Sequence, residues 1–150
     1  MAQLPCRRPA YCERMPHAGF TLIELLIAMV IAGILAAVAY PSYVQHAVKA
    51  RRVAAESFML ELASRQEQYM LDARRYADSR ATLGATTPAE VASYYTVETS
   101  GSNGVTPPTY TVTATPIGSQ LSQDGKCGTL TYTQAGVKSK SGTGSLADCW

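Results

Sequence analysis

The sequence predicts an α+β chain: one long amino-terminal helix, apolar in its first half and amphipathic in its second, packed on a small antiparallel sheet of about four strands. Three observations carry this. Leu25–Tyr40 is an uncharged run of sixteen residues. From Ser42 to Arg80 apolar residues recur at helical spacing. Beyond Ala81 three Thr-rich segments alternate apolar and polar residues. At 150 residues the chain suits one domain. Its 13 basic and 11 acidic residues give a charge of +2, too balanced to coat nucleic acid by bulk attraction. A hydrophobic share of 47% excludes disorder throughout. Four cysteines do not make a disulfide scaffold, and two histidines leave little for a metal or catalytic site.

The apolar segment comes first. Phe20 to Tyr40 counts 21 residues, roughly 31 Å of helix at 1.5 Å per residue, about one hydrocarbon thickness. Glu24 is its single charge. Arg7, Arg8 and Arg14 precede it against one acid, Glu13, which places the amino terminus in the cytoplasm and the rest of the chain across the membrane. An ordinary secretory signal, cut near Ala-Ala-Val-Ala-Tyr-Pro, is the competing reading. Against it, the apolar segment runs into the next helical pattern without a break.

Just before the run stands Gly19-Phe20-Thr21-Leu22-Ile23-Glu24-Leu25. This heptapeptide followed by an apolar helix resembles the processing signature of type IV prepilins. The resemblance implies a leader at 1–19, cut by a prepilin peptidase between Gly19 and Phe20, and methylation of the new amino terminus at Phe20. It also implies that the helix over 20–41 joins other pilin subunits in a filament core, after anchoring in the inner membrane beside the pilus assembly platform. Glu24 then faces the free amine of Phe20 on a neighbouring subunit. A carboxylate in apolar surroundings is costly unless paired, so that contact would fix register more than add stability. A start at Met15 would leave the leader Met-Pro-His-Ala-Gly, without Lys or Arg; Met1 is therefore preferred.

Gly33 and Pro41 interrupt the helix. Glycine weakens it, and Pro41 removes a backbone donor and crowds the carbonyl of Ala37, so a bend or local melting is expected. The freed carbonyl places Pro41 near an interface, where Tyr40 and Tyr43 form an aromatic pair.

The amphipathic half spans 42–80, with the helix continuing to about Tyr76. Its apolar stripe reads Val44, Val48, Ala55, Met59, Leu62, Tyr69, Ala73 and Tyr76, widened by Phe58 and Met70. Arg52–Glu56 and Glu61–Arg65 form i,i+4 pairs on the opposite face. Arg74, Arg75 and Arg80 end the helix where cations offset its dipole.

Residues 81–150 form the globular β domain. Only seven of these seventy residues are charged. Loop signals at 86–88 and 101–104 separate strands over Tyr94–Thr99, Tyr110–Thr115, Thr129–Thr133 and, after a turn at Gln134-Ala135-Gly136, near Val137–Ser139. Tyr95, Val97, Tyr110, Val112, Ala114, Leu130 and Tyr132 share one face, suited to covering the helix stripe.

Cys127 and Cys149 stand 22 residues apart in the exported half, where an oxidising compartment favours pairing. A disulfide there is worth roughly 3 kcal/mol on the loop-entropy model. Such a tail resembles the disulfide-bounded carboxy-terminal region of type IVa pilins. Arg65-Gln-Glu-Gln-Tyr69, Tyr110-Thr-Val-Thr-Ala-Thr-Pro116, Cys127-Gly-Thr-Leu130 and Asp148-Cys149-Trp150 resemble minor pilins of the PilE kind. The resemblance implies a non-enzymatic structural subunit, without cofactor or metal, in the inner membrane and then the extracellular pilus. Its roles would lie in filament assembly and hence twitching motility, adhesion or surface attachment. A DNA-receptor pilin for natural transformation is the alternative, with Lys126, Lys138 and Lys140 near the tail as candidate DNA contacts, a modest charge footprint. A type II secretion pseudopilin is a third reading, disfavoured by the paired tail cysteines. Phosphate-cradling loops, Cys-x-x-Cys, His-Glu-x-x-His and nucleophile elbows are missing from the sequence.

Overall fold

The computed structural model describes residues 20–150. The segment 1–19 expected to be a leader, with Gly19, Cys6, Cys12 and His17, lies outside the described residues. The chain divides into two compact units, the second of which is Tyr40–Trp150.

Helix α1 spans Leu22–Ala73. Thr21 caps it: its hydroxyl accepts the Glu24 amide at 3.2 Å, satisfying one of the orphan donors of the first turn. Glu24 therefore sits in that first turn, where a carboxylate also complements the helix dipole. In the first unit, all residues from Phe20 to Ala39 are exposed. By length and composition α1 could cross a membrane. The backbone stays helical through both Gly33 and Pro41. Melting does not occur, because a proline removes one rung of the ladder while its neighbours keep theirs.

In the second unit, Ala55, Phe58, Met59 and Leu62 of α1 pack with Tyr95, Val97, Tyr110, Val112, Ala114 and Leu130 in one core cluster. These strand residues belong to β1 (Tyr95–Ser102), β2 (Thr109–Pro116) and β3 (Leu130–Thr133); β4 (Lys138–Lys140) completes an antiparallel sheet in the order β1-β2-β3-β4. Alternation along β1 and β2 turns Tyr95, Val97, Thr99, Tyr110, Val112 and Ala114 toward the helix and Thr96, Glu98, Thr111 and Thr113 to the other face. The first strand runs three residues further than Thr99. Gly101 permits this, since a Cβ there would lie 2.8 Å from the Ala77 carbonyl oxygen. Tyr132 is half-buried at the edge of the core.

Three short helices escaped the sequence reading: α2 (Ala89–Ala92), α3 (Gly118–Gln123) and α4 (Leu146–Cys149). Each is too short to show a helical period. The long helix also stops earlier than expected, at Ala73. Arg74 takes a left-handed conformation with φ 58°, the geometry that ends helices. Arg74 and Arg75 thus follow the helix, while Arg80 pairs with Glu98 at 3.2 Å. Beyond the end, Tyr76 turns into the core and meets Tyr110 edge to face at 4.8 Å. Val44 is half-buried and Ala73 exposed, so the stripe is covered only between them.

Two amides hold this return. The Gln66 side chain is fully buried. It accepts from the Ala77 amide at 2.8 Å and donates to the Ala77 carbonyl and the Thr99 hydroxyl, each at 2.9 Å. Asn103, in the β1–β2 loop, accepts from the Tyr76 amide at 2.8 Å and donates to the Tyr76 carbonyl at 2.9 Å.

Candidate functional site

A cluster of buried polar and charged side chains gathers where α1 meets the tail. Cys127, before β3, and Cys149, in α4, form a disulfide with Cα atoms 5.4 Å apart. Both cysteines are buried. Against the bond lies Arg52, itself 8% exposed. One Arg52 Nη1 atom contacts Cys127 Sγ and donates to the Asp148 carbonyl at 2.7 Å. Its Nε lies 3.3 Å from Asp124 Oδ2. That contact is an ion pair without an aligned hydrogen bond.

This corrects the sequence pairing. Arg52 does not pair with Glu56 across one helical turn; it points inward to Asp124, which is 4% exposed. A buried guanidinium demands a buried partner, and the tail supplies one. The second expected pair forms as read, Arg65 to Glu61 at 2.8 Å on the exposed face. Asp124 is held further by the Tyr95 hydroxyl at 2.9 Å and by the Gln120 amide at 3.1 Å. Gln120 also donates to the Val48 carbonyl at 3.1 Å, and its Oε1 has no partner among the described residues. Burial pushes the Tyr95 phenol well above its usual range, reinforced by the Asp124 charge and opposed by the Gln120 amide. Burial likewise raises Glu56, opposed by Arg52 and Lys138.

The three lysines sit in different settings. Lys138 and Lys140 pair with Tyr132 and Leu130 across the β3–β4 ladder, so they continue the face that carries the core, not the outer threonine face. Lys138 Nζ stands 5.0 Å over the Trp150 ring, within cation–π range. The Trp150 indole donates to the Ser139 carbonyl at 3.0 Å. Lys140 Nζ donates to the Gly142 carbonyl at 2.7 Å. The Lys126 ammonium has no hydrogen bond or ion pair among the described residues, while its carbonyl accepts from Gly144 at 2.7 Å. Lys126 and Lys140 thus border the loop at 141–144, while Lys138 lies against Trp150.

At the other end, Phe20 and Glu24 are exposed and Glu24 has no ion partner among the described residues. Arg52, Asp124, Gln120, Gln66 and Asn103 were not foreseen as a network. A sequence signal for Arg52 and Gln66 existed: both fall at helical spacing within the stripe.

A long amino-terminal helix on a four-stranded antiparallel sheet with a carboxy-terminal disulfide is the fold of a pilin. The chain belongs to the family described as "Type IV minor pilin ComP, DNA uptake sequence receptor", whose model matches residues 41–131. The "Prokaryotic N-terminal methylation motif" matches residues 14–40. Among relatives, the Type IV major pilin protein PilE1 of Neisseria gonorrhoeae is 33% identical over 71% of this chain and 61% of its own. Type II secretion system core protein G of Dickeya chrysanthemi is 37% identical over 51% of this chain and 53% of its own. Type IV major pilin protein PilA of Myxococcus xanthus is 35% identical over 45% and 31% respectively. The chain thus spans from 31% to 61% of the length of these relatives. It is a pilin subunit, of a family of structural proteins, and its amino-terminal motif implies a prepilin peptidase.

Proposed function

We propose that this chain is a minor type IV pilin that enters a surface filament and offers DNA a contact there, for uptake. The family match over residues 41–131 is the observation that supports this reading over a purely structural one. Cleavage after Gly19 frees Phe20, which is methylated; Glu24 meets a neighbour's Phe20 amine; and the 20–41 helix holds the subunit first in the inner membrane and then among other pilins. Lys126, Lys138 and Lys140 make the DNA-facing edge at the tail. Without residues 1–19 the chain has ten basic and ten acidic residues. Long-range attraction is then slight, and DNA affinity must come from local contacts.

The test uses the processed chain in detergent with duplex DNA of varied sequence. Binding should weaken with salt at a slope of roughly −0.9 per phosphate contact, and glutamine at all three lysines should abolish it. A chain that binds no duplex above the weak non-specific range would instead be a structural minor pilin, acting in assembly, twitching motility or adhesion. That second reading is favoured by the zero net charge and by the engagement of Lys138 and Lys140 within the tail.

A further inference from the structure

A cleft of about 680 Å³ opens between α1 and the tail, within the roughly 300–1,000 Å³ range of small-molecule sites. One wall is the first stretch of α1 after Pro41, from Ser42 through His46 and Lys49 to Arg52; the other runs from Ser122 to Cys127 and includes Lys126. Its charge is lopsided. Of the two carboxylates on its walls, Asp124 is buried against Arg52 and Tyr95, while Asp148 is exposed and accepts only from the neutral Ser145 hydroxyl at 2.6 Å. Lys49, Lys126 and His46 have no side-chain partner among the described residues. Lys49, Lys126 and Arg52 against Asp124 and Asp148 leave the lining one positive charge in excess, with His46 beside them. Such a lining suits an anion with several oxygens.

We infer that this cleft takes the phosphate of an anionic phospholipid headgroup while the subunit is still in the membrane. The choice of lipid rests on the membrane-anchor reading of the 20–41 segment. The cleft wall starts one residue after Pro41, where the apolar run has ended. His46 and Lys49 follow by five and eight residues, roughly 8 and 12 Å along a helix. The headgroup layer is roughly 5–8 Å deep on each side, and lysine stems lie along apolar surface to bring their ammonium groups down to such a layer. Nucleic acid has no comparable reason to seek this position, and the lysines proposed for DNA include two, Lys138 and Lys140, that are not on the cleft wall.

The experiment uses the full chain recovered from membranes in detergent and mixed with phosphatidylglycerol or phosphatidylcholine. Lipid retention is read by native mass spectrometry. One phosphatidylglycerol should be retained in preference to phosphatidylcholine. Lys49→Gln with Lys126→Gln should lower that retention roughly thirtyfold, while Lys138→Gln with Lys140→Gln should leave it unchanged. Equal retention of the two lipids, or loss with the Lys138 and Lys140 pair instead, overturns the cleft. Displacement of the lipid by short duplex DNA also overturns it and reassigns the cleft to nucleic acid. The anchor is read separately. A chain that pellets with membranes but shows no lipid preference sinks the cleft alone, whereas a chain found free of membranes sinks both. An intact Cys127–Cys149 bond in the double variant together with wild-type amide protection over residues 127–150 shows that the tail has kept its fold.

Discussion

At the scale of single residues, Arg52 is the side chain that ties the long helix to the tail. It reaches Asp124, the disulfide and the Asp148 carbonyl from one position on α1. Arg52→Met should therefore destabilise the fold by about 3 kcal/mol, because a buried carboxylate is left without its cation. Adding Asp124→Asn to it should recover part of that loss; urea midpoints for the single and double variants check this. Equal midpoints for wild type and Arg52→Met would show the pair to be inert. Tyr95 supplies a pH test. Its folded pKa lies above the unfolded value of about 10. Its contribution is present below pH 10 and is lost as pH rises through the folded value. Tyr95→Phe should be less stable at neutral pH by about 1.5–2 kcal/mol, the share of a hydrogen bond to a charged acceptor. That gap should narrow above pH 10, because wild type loses the Tyr95 share on top of the loss that buried Tyr76 and Tyr110 impose on both proteins, read from melting temperatures across pH.

Elements differ in how openly the chain announces them. The sheet was legible because threonines alternate with apolar residues in β1, β2 and β3, and period two has no helical equivalent. The long helix was legible from its stripe, yet its two most consequential polar residues were hidden in that same stripe. Val48 to Ala55 and Leu62 to Tyr69 are steps of seven. Arg52 and Gln66 fill those gaps, at four residues from the start of each. Charge alone assigned Arg52 to solvent; only the distant Asp124 makes its burial affordable. The short helices were illegible for want of length, and the helix end for want of a glycine, since Arg74 takes the left-handed position unaided. The tail was legible through its two cysteines. Reduction of Cys127–Cys149 should loosen residues 127–150 and lower stability by roughly 3 kcal/mol, while α1 stays formed on its core stripe. Amide hydrogen exchange resolves the two regions; exchange accelerating equally in α1 would contradict it.

For the whole molecule, the processed form decides the reading of the amino-terminal segment. Intact mass of the protein from cells should lack residues 1–19 and carry one added methyl group. A chain that instead begins after Ala39 would mark an ordinary signal peptide and remove the filament helix. The Arg52 contacts carry a further consequence, in time. Its Cys127 and Asp148 partners lie 75 and 96 positions later in the chain, so they emerge from synthesis long after the helix that waits for them. Closing such long loops is slow. Until then Arg52 has none of its partners, and the helix face around it stays in water. A chain interrupted before Asp124 could still lay β1 and β2 on Ala55, Met59 and Leu62, but that face would remain open beside them.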